Sequence, residues 1–365
     1  MDVRPGKRGD RMNNTVNVMN ISFGKDSTAM WIYALEQGVD IMPVFCDTGN
    51  EHPLVYEYGE YLEKQLGPIR RIKADFSEQI ARKREYVQKH WPQKLTTDVP
   101  GHWHYIGPVG EREAAEEPPE KPDDPSRQIE IGHWRWYPEQ KGMSDKEAAE
   151  VIETALSVLH PTGNPFLDLC LWKGRFPSTR RRFCTVELKV RPTEEQVYFP
   201  LLEAGHEVVS WQGVRAQESA ARAKLPEREN TPEGYEIYRP LLRWAVDDVF
   251  AIHRKHGIEP NPLYKLGMGR VGCMPCINCN KSELFEIARR FPSEIERVAK
   301  WEQLVKMASK RQGASFFPTA NGNGDGIQEV VEWSKTAYGG KQYDLIKALE
   351  WEDVPQCSSV YGLCE

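Results

Sequence analysis

Residues 16–35 read VNVMNISFGKDSTAMWIYAL. An apolar run from Val16 to Ile21 suits a strand. Ser22-Phe23-Gly24-Lys25-Asp26-Ser27 suits a tight turn, and Ser27 to Gln37 suits a helix capped by Ser27 or Asp26 and stopped at Gly38. Such a turn presents backbone N–H groups and the positive end of a helix to whatever lies above it, which favours an anion. Gly24 permits close approach, Ser22, Ser27 and Thr28 add hydroxyls, and Lys25 adds a cation. Asp26 is out of place in an anion site unless it caps the turn or holds Mg²⁺ bridging phosphates. The spelling is neither G-x-x-x-x-G-K-[ST] nor G-x-G-x-x-G. An ordinary turn with a good N-cap is the plainer alternative.

Working outward, Ile41 to Cys46 reads as a second strand, Pro53 to Leu66 as a second helix with Pro in its first turn and Gly67 after its end, and Ile69 to Lys73 as a third strand. This βαβαβ start predicts an α/β fold, a doubly wound, mostly parallel sheet with ligands at the carboxyl ends of the strands. Residues 82–150 are rich in Trp, His, Pro and Glu and read as a long insertion. Sheet pattern returns at Glu207 to Val214, followed by helices near 217–224 and 244–255, a cysteine cluster, and a charged helical stretch over about 281–312. The expected organisation is a nucleotide-binding domain over 15–255, a cysteine and helical region over 256–345, and a tail over 346–365.

The chain has 365 residues, 39% of them hydrophobic, and a formal net charge of −6. Bulk charge therefore does not advertise nucleic acid, and any basic surface is local. No apolar run is long enough to span a membrane, and the polar N-terminus carries no signal-peptide core, so a cytoplasmic protein is expected. One local basic stretch is GRFPSTRRRFCTVELKVRP over 174–192. Arg180, Arg181, Arg182 and Lys189 there are candidates for gripping a substrate anion, since guanidinium forks match phosphate and sulfate oxygens. A solvated basic face is the alternative.

The turn's spelling resembles the SGGxDS motif of the PP-loop ATP pyrophosphatases, which cleave ATP between the α and β phosphates. SxGKDSTA, followed by a strand ending in Asp47-Thr48-Gly49, resembles the phosphoadenosine phosphosulfate (PAPS) reductase family more specifically. The resemblance implies that Asp47 and Thr48 lie near the nucleotide. The segment GVRAQESAAR over 213–222 is similar to the family's G-x-R-x-x-E-S-x-x-R element. It nominates Gly213 and Arg215 for the nucleotide and Arg222 for a substrate anion, although Glu218 and Arg222 could be a plain i,i+4 ion pair. The similarity covers about 15–80 and 174–290.

VGCMPCINCNKSEL spaces Cys273, Cys276 and Cys279 as C-x2-C-x2-C. Three close thiols in a reducing compartment point to metal, with Cys184 the natural fourth ligand. Four thiolates suit a [4Fe–4S] cluster or Zn²⁺, and free thiols are the remaining option. Some members of the family carry such a cluster, which the resemblance implies here. The one-plus-three layout is most similar to the phage-type and DNA-phosphorothioation-type members. Cys46 and Cys170 lie in apolar surroundings and read as structural. The reductases end in a mobile tail whose cysteine attacks the sulfonate sulfur; this chain ends CSSVYGLCE, which makes Cys364 a nucleophile candidate by a poor match, or Cys357 and Cys364 a redox pair.

The expected function is an enzyme that binds ATP with Mg²⁺, or an adenylyl sulfate. Lys25, Asp26, Arg215 and Cys364 are its catalytic candidates. It performs phosphosulfate reduction or ATP-dependent activation for sulfur transfer, drawing on a sulfur donor or a thioredoxin-like reductant and acting on a small molecule or nucleic acid. The alternative is a nucleotide-binding subunit without turnover, in a nucleic-acid-modification or defence complex.

Overall fold

The computed structural model describes residues 14–106, 121–179, 181–317 and 326–336. Arg180, Cys357 and Cys364 lie outside these residues. The chain opens with β1 (Thr15–Ile21), α1 (Lys25–Glu36), β2 (Met42–Asp47), α2 (Pro53–Leu66), β3 (Arg70–Lys73) and α3 (Ser77–Thr96). A small antiparallel unit follows, β4 (His102–Tyr105), β5 (Ile129–Ile131) and β6 (Trp134–Tyr137), and then α4 (Asp145–Val158) and α5 (Pro165–Lys173). Residues 183–203 are helical throughout, with π-type segments at Val186–Val190 and Glu194–Tyr198. β7 (Glu207–Trp211), β8 (Arg228–Asn230) and β9 (Glu236–Tyr238) complete the strands, and the helices Val246–His256, Pro262–Lys265, Lys281–Arg290, Pro292–Met307 and Ile327–Ser334 follow.

The main sheet has six strands in the order β3-β2-β1-β7-β9-β8. All neighbours are parallel except β8, which runs antiparallel to β9. The doubly wound α/β fold is therefore as the strand–helix alternation predicts. Strand order reverses between β1 and β7, which makes this the switch point of the sheet. Neighbouring residues separate onto the two faces: Met19, Phe45 and Val209 join the larger core, while Val18, Val44 and Val208 pack with Val197 and Tyr198 of the 183–203 helix. A strand covered on both faces reads as a nearly unbroken apolar run, which is why Val16 to Ile21 stood out.

Three segments differ from the sequence expectation. The span 82–150 does not stand apart as one insertion. α3 continues to Thr96 because Ile80, Val87, Trp91 and Leu95 form a buried stripe along it, and Arg84 donates to the carbonyls of Leu156 and Leu159 at the end of α4. Residues 216–224 form two short 3₁₀ turns rather than a helix; Glu218 accepts from Arg215 N–H at the start of the first and pairs with Arg222 in the second. The 281–312 stretch breaks at Phe291-Pro292 into two helices. Among the described residues, no helix is long and apolar enough to cross a membrane.

Candidate functional site

The turn after β1 is held from below and behind. Phe23 adopts φ +64, unusual for a bulky residue, and its buried ring packs on Phe45 at 4.3 Å between centroids. The Asn261 side-chain amide donates to the Phe23 carbonyl at 3.3 Å, and the backbone N–H of Lys25 donates to the Tyr264 hydroxyl at 2.9 Å. His253 Nε2 lies 2.9 Å from the Lys25 carbonyl. Within the turn, Ser22 N–H donates to Ser27 Oγ at 3.3 Å, and Ser27 Oγ donates to the Gly24 carbonyl at 3.2 Å. Gly24 is the N-cap of α1 and supplies no side-chain acceptor to the helix start. A rigid, anion-compatible helix end results.

Asp26 is fully buried beneath this helix end. Arg215 Nε donates to Asp26 Oδ1 at 2.6 Å, and Lys25 Nζ sits 3.0 Å from Asp26 Oδ2. Oδ1 is thus hydrogen-bonded to a guanidinium, while Oδ2 has the Lys25 ammonium beside it but no hydrogen bond among the described residues. Asp26 acts as an internal counter-ion that joins α1 to the loop after β7. Arg215 N–H donates to Glu218 Oε2 at 3.1 Å, and Arg222 pairs with the same Glu218 oxygen. Arg222 is buried on Glu218, the plainer of the two readings its spacing permits. Within this buried group Lys25 and Arg215 pair with Asp26, and Arg222 pairs with Glu218. A Cβ on Gly213 would come within 3.4 Å of Ser27 N, so the loop after β7 lies directly on the start of α1.

The turn after β2 is the second wall. Asp47 Oδ1 accepts from Gly49 N–H at 2.9 Å and from the Tyr56 hydroxyl at 2.8 Å. Thr48 donates its hydroxyl to Glu51 Oε1 at 2.7 Å and its N–H to Glu51 Oε2 at 3.2 Å. Burial raises the Glu51 carboxyl, an effect that Lys189 and the Thr48 hydrogen bond oppose without overcoming. The cysteine loop lies against this turn. Glu51 pairs with Cys273 in an antiparallel bridge, and Thr48 Oγ1 and Cys273 Sγ are 3.5 Å apart.

Asn20, Ile21, Ser22, Val44, Phe45, Cys46, Glu51, Lys189 and Gly272 line a small cleft of about 20 Å³. It lies at the carboxyl ends of β1 and β2. Lys189 enters it from the first π-type segment of the 183–203 helix, while Glu187 nearby holds Lys173 at 3.0 Å and Arg191 at 2.8 Å. Of the other basic residues, Arg181 is exposed and Arg182 half-buried at the start of the same helix. The cleft thus receives Ser22 and Lys189 from the sequence candidates. Glu51, Tyr56, His253, Asn261 and Tyr264 support it without having been singled out by sequence. Only the proximity of Glu51 to the Asp-Thr-Gly element signalled any of them.

The four candidate metal ligands are right in kind for a thiophilic metal. Each makes its own contacts. Cys273 turns to Thr48 and Glu51, Cys276 Sγ accepts from Asn278 N–H at 3.5 Å, Cys279 Sγ lies 3.5 Å from the Asn280 carbonyl, and the buried Cys170 senses Cys184. Among the described residues, no group of three or more Cys, His, Asp or Glu is placed to hold a metal ion. Burial pushes the Cys273 thiol up to about 12 and raises Cys279 well above its ordinary value, so both are thiols unless a cation enters. Burial pushes the Cys46 thiol up to about 11, and its sulfur lies 3.2 Å from Thr193 Oγ1 at the edge of the cleft.

A parallel sheet with its phosphate-type turn at the switch point places the chain among α/β proteins of the PP-loop kind. The sequence profile of the phosphoadenosine phosphosulfate reductase domain matches residues 16–113 and 146–279. The chain belongs to that family. It is 45% identical over 370 residues to a phage protein described as "Uncharacterized 37.8 kDa protein in gpa 5'region" from Escherichia phage 186, covering 96% of this chain and 97% of that one. It is 42% identical over 65 residues to the adenosine 5'-phosphosulfate reductase of Allochromatium vinosum, which is 18% of this chain and 25% of the relative. With that of Neisseria meningitidis serogroup A it shares 33% over 111 residues, 28% of this chain and 42% of the relative. The matches to these two reductases thus span less than half of the reductases' own length. A crystal structure of PAPS reductase from Candida auris in complex with phosphate overlays with a TM-score of 0.36 at 14% identity, covering 73% of this chain and 84% of that one.

Proposed function

We propose that the chain binds an adenine nucleotide, ATP or an adenylyl sulfate, in the cleft at the carboxyl ends of β1 and β2, and that it carries out sulfur chemistry on it. The observation that carries this reading is that Ser22, two residues before the capless N-terminus of α1, and Lys189 line one cleft at the carboxyl ends of β1 and β2. Family membership and the names of the reductase relatives support the ligand class. In this reading the helix end and Lys189 receive phosphate or sulfate oxygens, and Arg215 and Asp26 fix the helix end. Mg²⁺ accompanies ATP on the phosphates.

Two reactions fit the site. With ATP, an acceptor oxygen attacks the α-phosphorus, the α–β bridging P–O bond breaks, and pyrophosphate leaves. With an adenylyl sulfate, a thiolate such as that of Cys364 attacks the sulfur and the S–O bond breaks, so that the nucleotide leaves with its electron pair. A dithiol reductant then releases sulfite and becomes a disulfide. We also propose that Cys184, Cys273, Cys276 and Cys279 are gathered by a [4Fe–4S] cluster or by Zn²⁺. A bound cluster would supply a redox and sulfur-binding centre beside the cleft, at Cys273.

Anaerobically purified protein incubated with ATP and Mg²⁺, and separately with PAPS or adenosine 5'-phosphosulfate and thioredoxin, tests the reading. Pyrophosphate release selects activation and sulfite release selects reduction. Nucleotide binding without turnover makes the chain a binding subunit, and the absence of any binding refutes the proposal. Iron and sulfide analysis tests the cluster. A colourless protein with one zinc selects the other metal, and metal retained by Cys184→Ala removes Cys184 from the ligand set.

A further inference from the structure

The cysteine loop forms part of the cleft wall: Gly272 lines the cleft from one side of the Glu51–Cys273 bridge, and Glu51 lines it from the other. What holds these two segments together lies outside the cleft. Asn50 is fully buried. Its carbonyl accepts from Met274 N–H at 2.8 Å, and its side-chain amide donates to the Pro275 carbonyl at 3.2 Å. Arg297, on the helix Pro292–Met307, then closes the assembly. Its Nη2 donates to Asn50 Oδ1 at 2.9 Å and to the Met274 carbonyl at 2.6 Å. Glu294 at 2.5 Å and the Trp301 ring, 4.7 Å from the guanidinium carbon, hold the guanidinium in place.

One guanidinium nitrogen therefore grips both partners of the turn–loop contact. Both acceptors take their bonds from that one charged nitrogen, so the charged donor is what a substitution here removes. Without Arg297, Asn50 Oδ1 and the Met274 carbonyl lose their charged donor, and the loop is tied to the turn only by neutral hydrogen bonds.

We propose that Arg297 is a positioning residue for the nucleotide cleft: it registers the cysteine loop against the turn after β2, so that a ligand in the cleft and the order of residues 270–280 are coupled. This rests on the nucleotide reading above. The coupling is reciprocal: a loop loosened by mutation weakens the ligand, and a bound ligand tightens the loop.

The test uses the full chain with ATP and Mg²⁺, and with adenosine 5'-phosphosulfate, in two measurements. Calorimetry on the unmodified protein decides the nucleotide reading by itself, and no binding overturns that reading and the positioning role together. Where binding is seen, amide hydrogen exchange over 270–280 should slow on adding the ligand. Unchanged exchange overturns the coupling while the nucleotide site stands. Arg297→Met should weaken binding about tenfold and abolish the ligand-dependent protection, and Arg297→Lys should recover part of both. Binding and protection equal to those of the unmodified protein in Arg297→Met overturn the proposal. If Arg297→Met does not fold, Arg297→Lys and the exchange measurement on the unmodified chain decide it.

Discussion

Asp26, at the start of α1, and Arg215, after β7, meet across the switch point of the sheet, with Nε donating to Oδ1 at 2.6 Å and both side chains almost wholly out of water. Replacing one partner strands the other charge in a low-dielectric setting. Arg215→Ala should therefore destabilise the fold by about 3–5 kcal/mol, read as a lowered urea midpoint. Arg215→Lys should restore part of the stability, since it keeps the charge and loses the fork. A midpoint in Arg215→Ala equal to that of the unmodified protein would show that this pair does not tie α1 to the loop after β7.

Gly213 and Gly49 separate binding from folding. A methyl on Gly213 would reach Ser27 N at 3.4 Å and Asp26 C at 3.5 Å, ordinary contact distances, yet it would occupy space beside the first turn of α1. Gly213→Ala should shift stability by less than about 1 kcal/mol while weakening ATP binding in calorimetry. Gly49 has φ +74, and a methyl there would lie 2.8 Å from the Asn164 amide, so Gly49→Ala should cost about 2 kcal/mol or more. The reverse ranking in urea unfolding would contradict both accounts.

The half of the site built by local pattern was legible in the sequence. β1, the turn and α1 follow one another without interruption, and Pro53–Leu66 falls between its own proline and glycine signals. What escaped depends on residues far apart in the chain. Tyr264 and His253 grip Lys25 from beyond residue 250, and Arg297 reaches Asn50 from a helix nearly 250 positions away. No periodicity encodes such pairings. The 3₁₀ turns at 216–224 escaped for a different reason: the Glu218–Arg222 pair is spaced i,i+4, which a helix and these turns both permit. In the 183–203 helix, π-type segments shift the facing of side chains relative to a 3.6-residue period, so the placement of Lys189 in the cleft could not be read from spacing.

Lys189 shares the cleft with Glu51. Lys189→Met keeps the stem and removes the charge, leaving Glu51 to face an anionic ligand. Affinity for ATP or adenosine 5'-phosphosulfate should fall by about tenfold or more, and the remaining binding should depend less on salt. Titrations at two salt concentrations check this, and unaltered affinity would place the anion elsewhere.

Glu302 gives the fold a pH dependence with a definite sign. Its carboxylate is buried on the helix Pro292–Met307, accepting N–H bonds from Phe316 at 2.6 Å and Ile327 at 2.8 Å. Burial raises the carboxyl above its ordinary 4.5, and the two backbone hydrogen bonds, which favour the charged form, do not offset it. In the window between 4.5 and the raised folded value, the folded chain keeps a proton that the unfolded chain has released. Stability from this group is therefore complete below the unfolded value and declines as pH rises through the folded one. Glu302→Gln cannot titrate. The difference in unfolding free energy between the unmodified protein and Glu302→Gln should move in favour of the variant as pH rises through that window, in urea titrations at a series of pH values. Parallel curves would mean that Glu302 ionises at the same pH in the folded and unfolded chains.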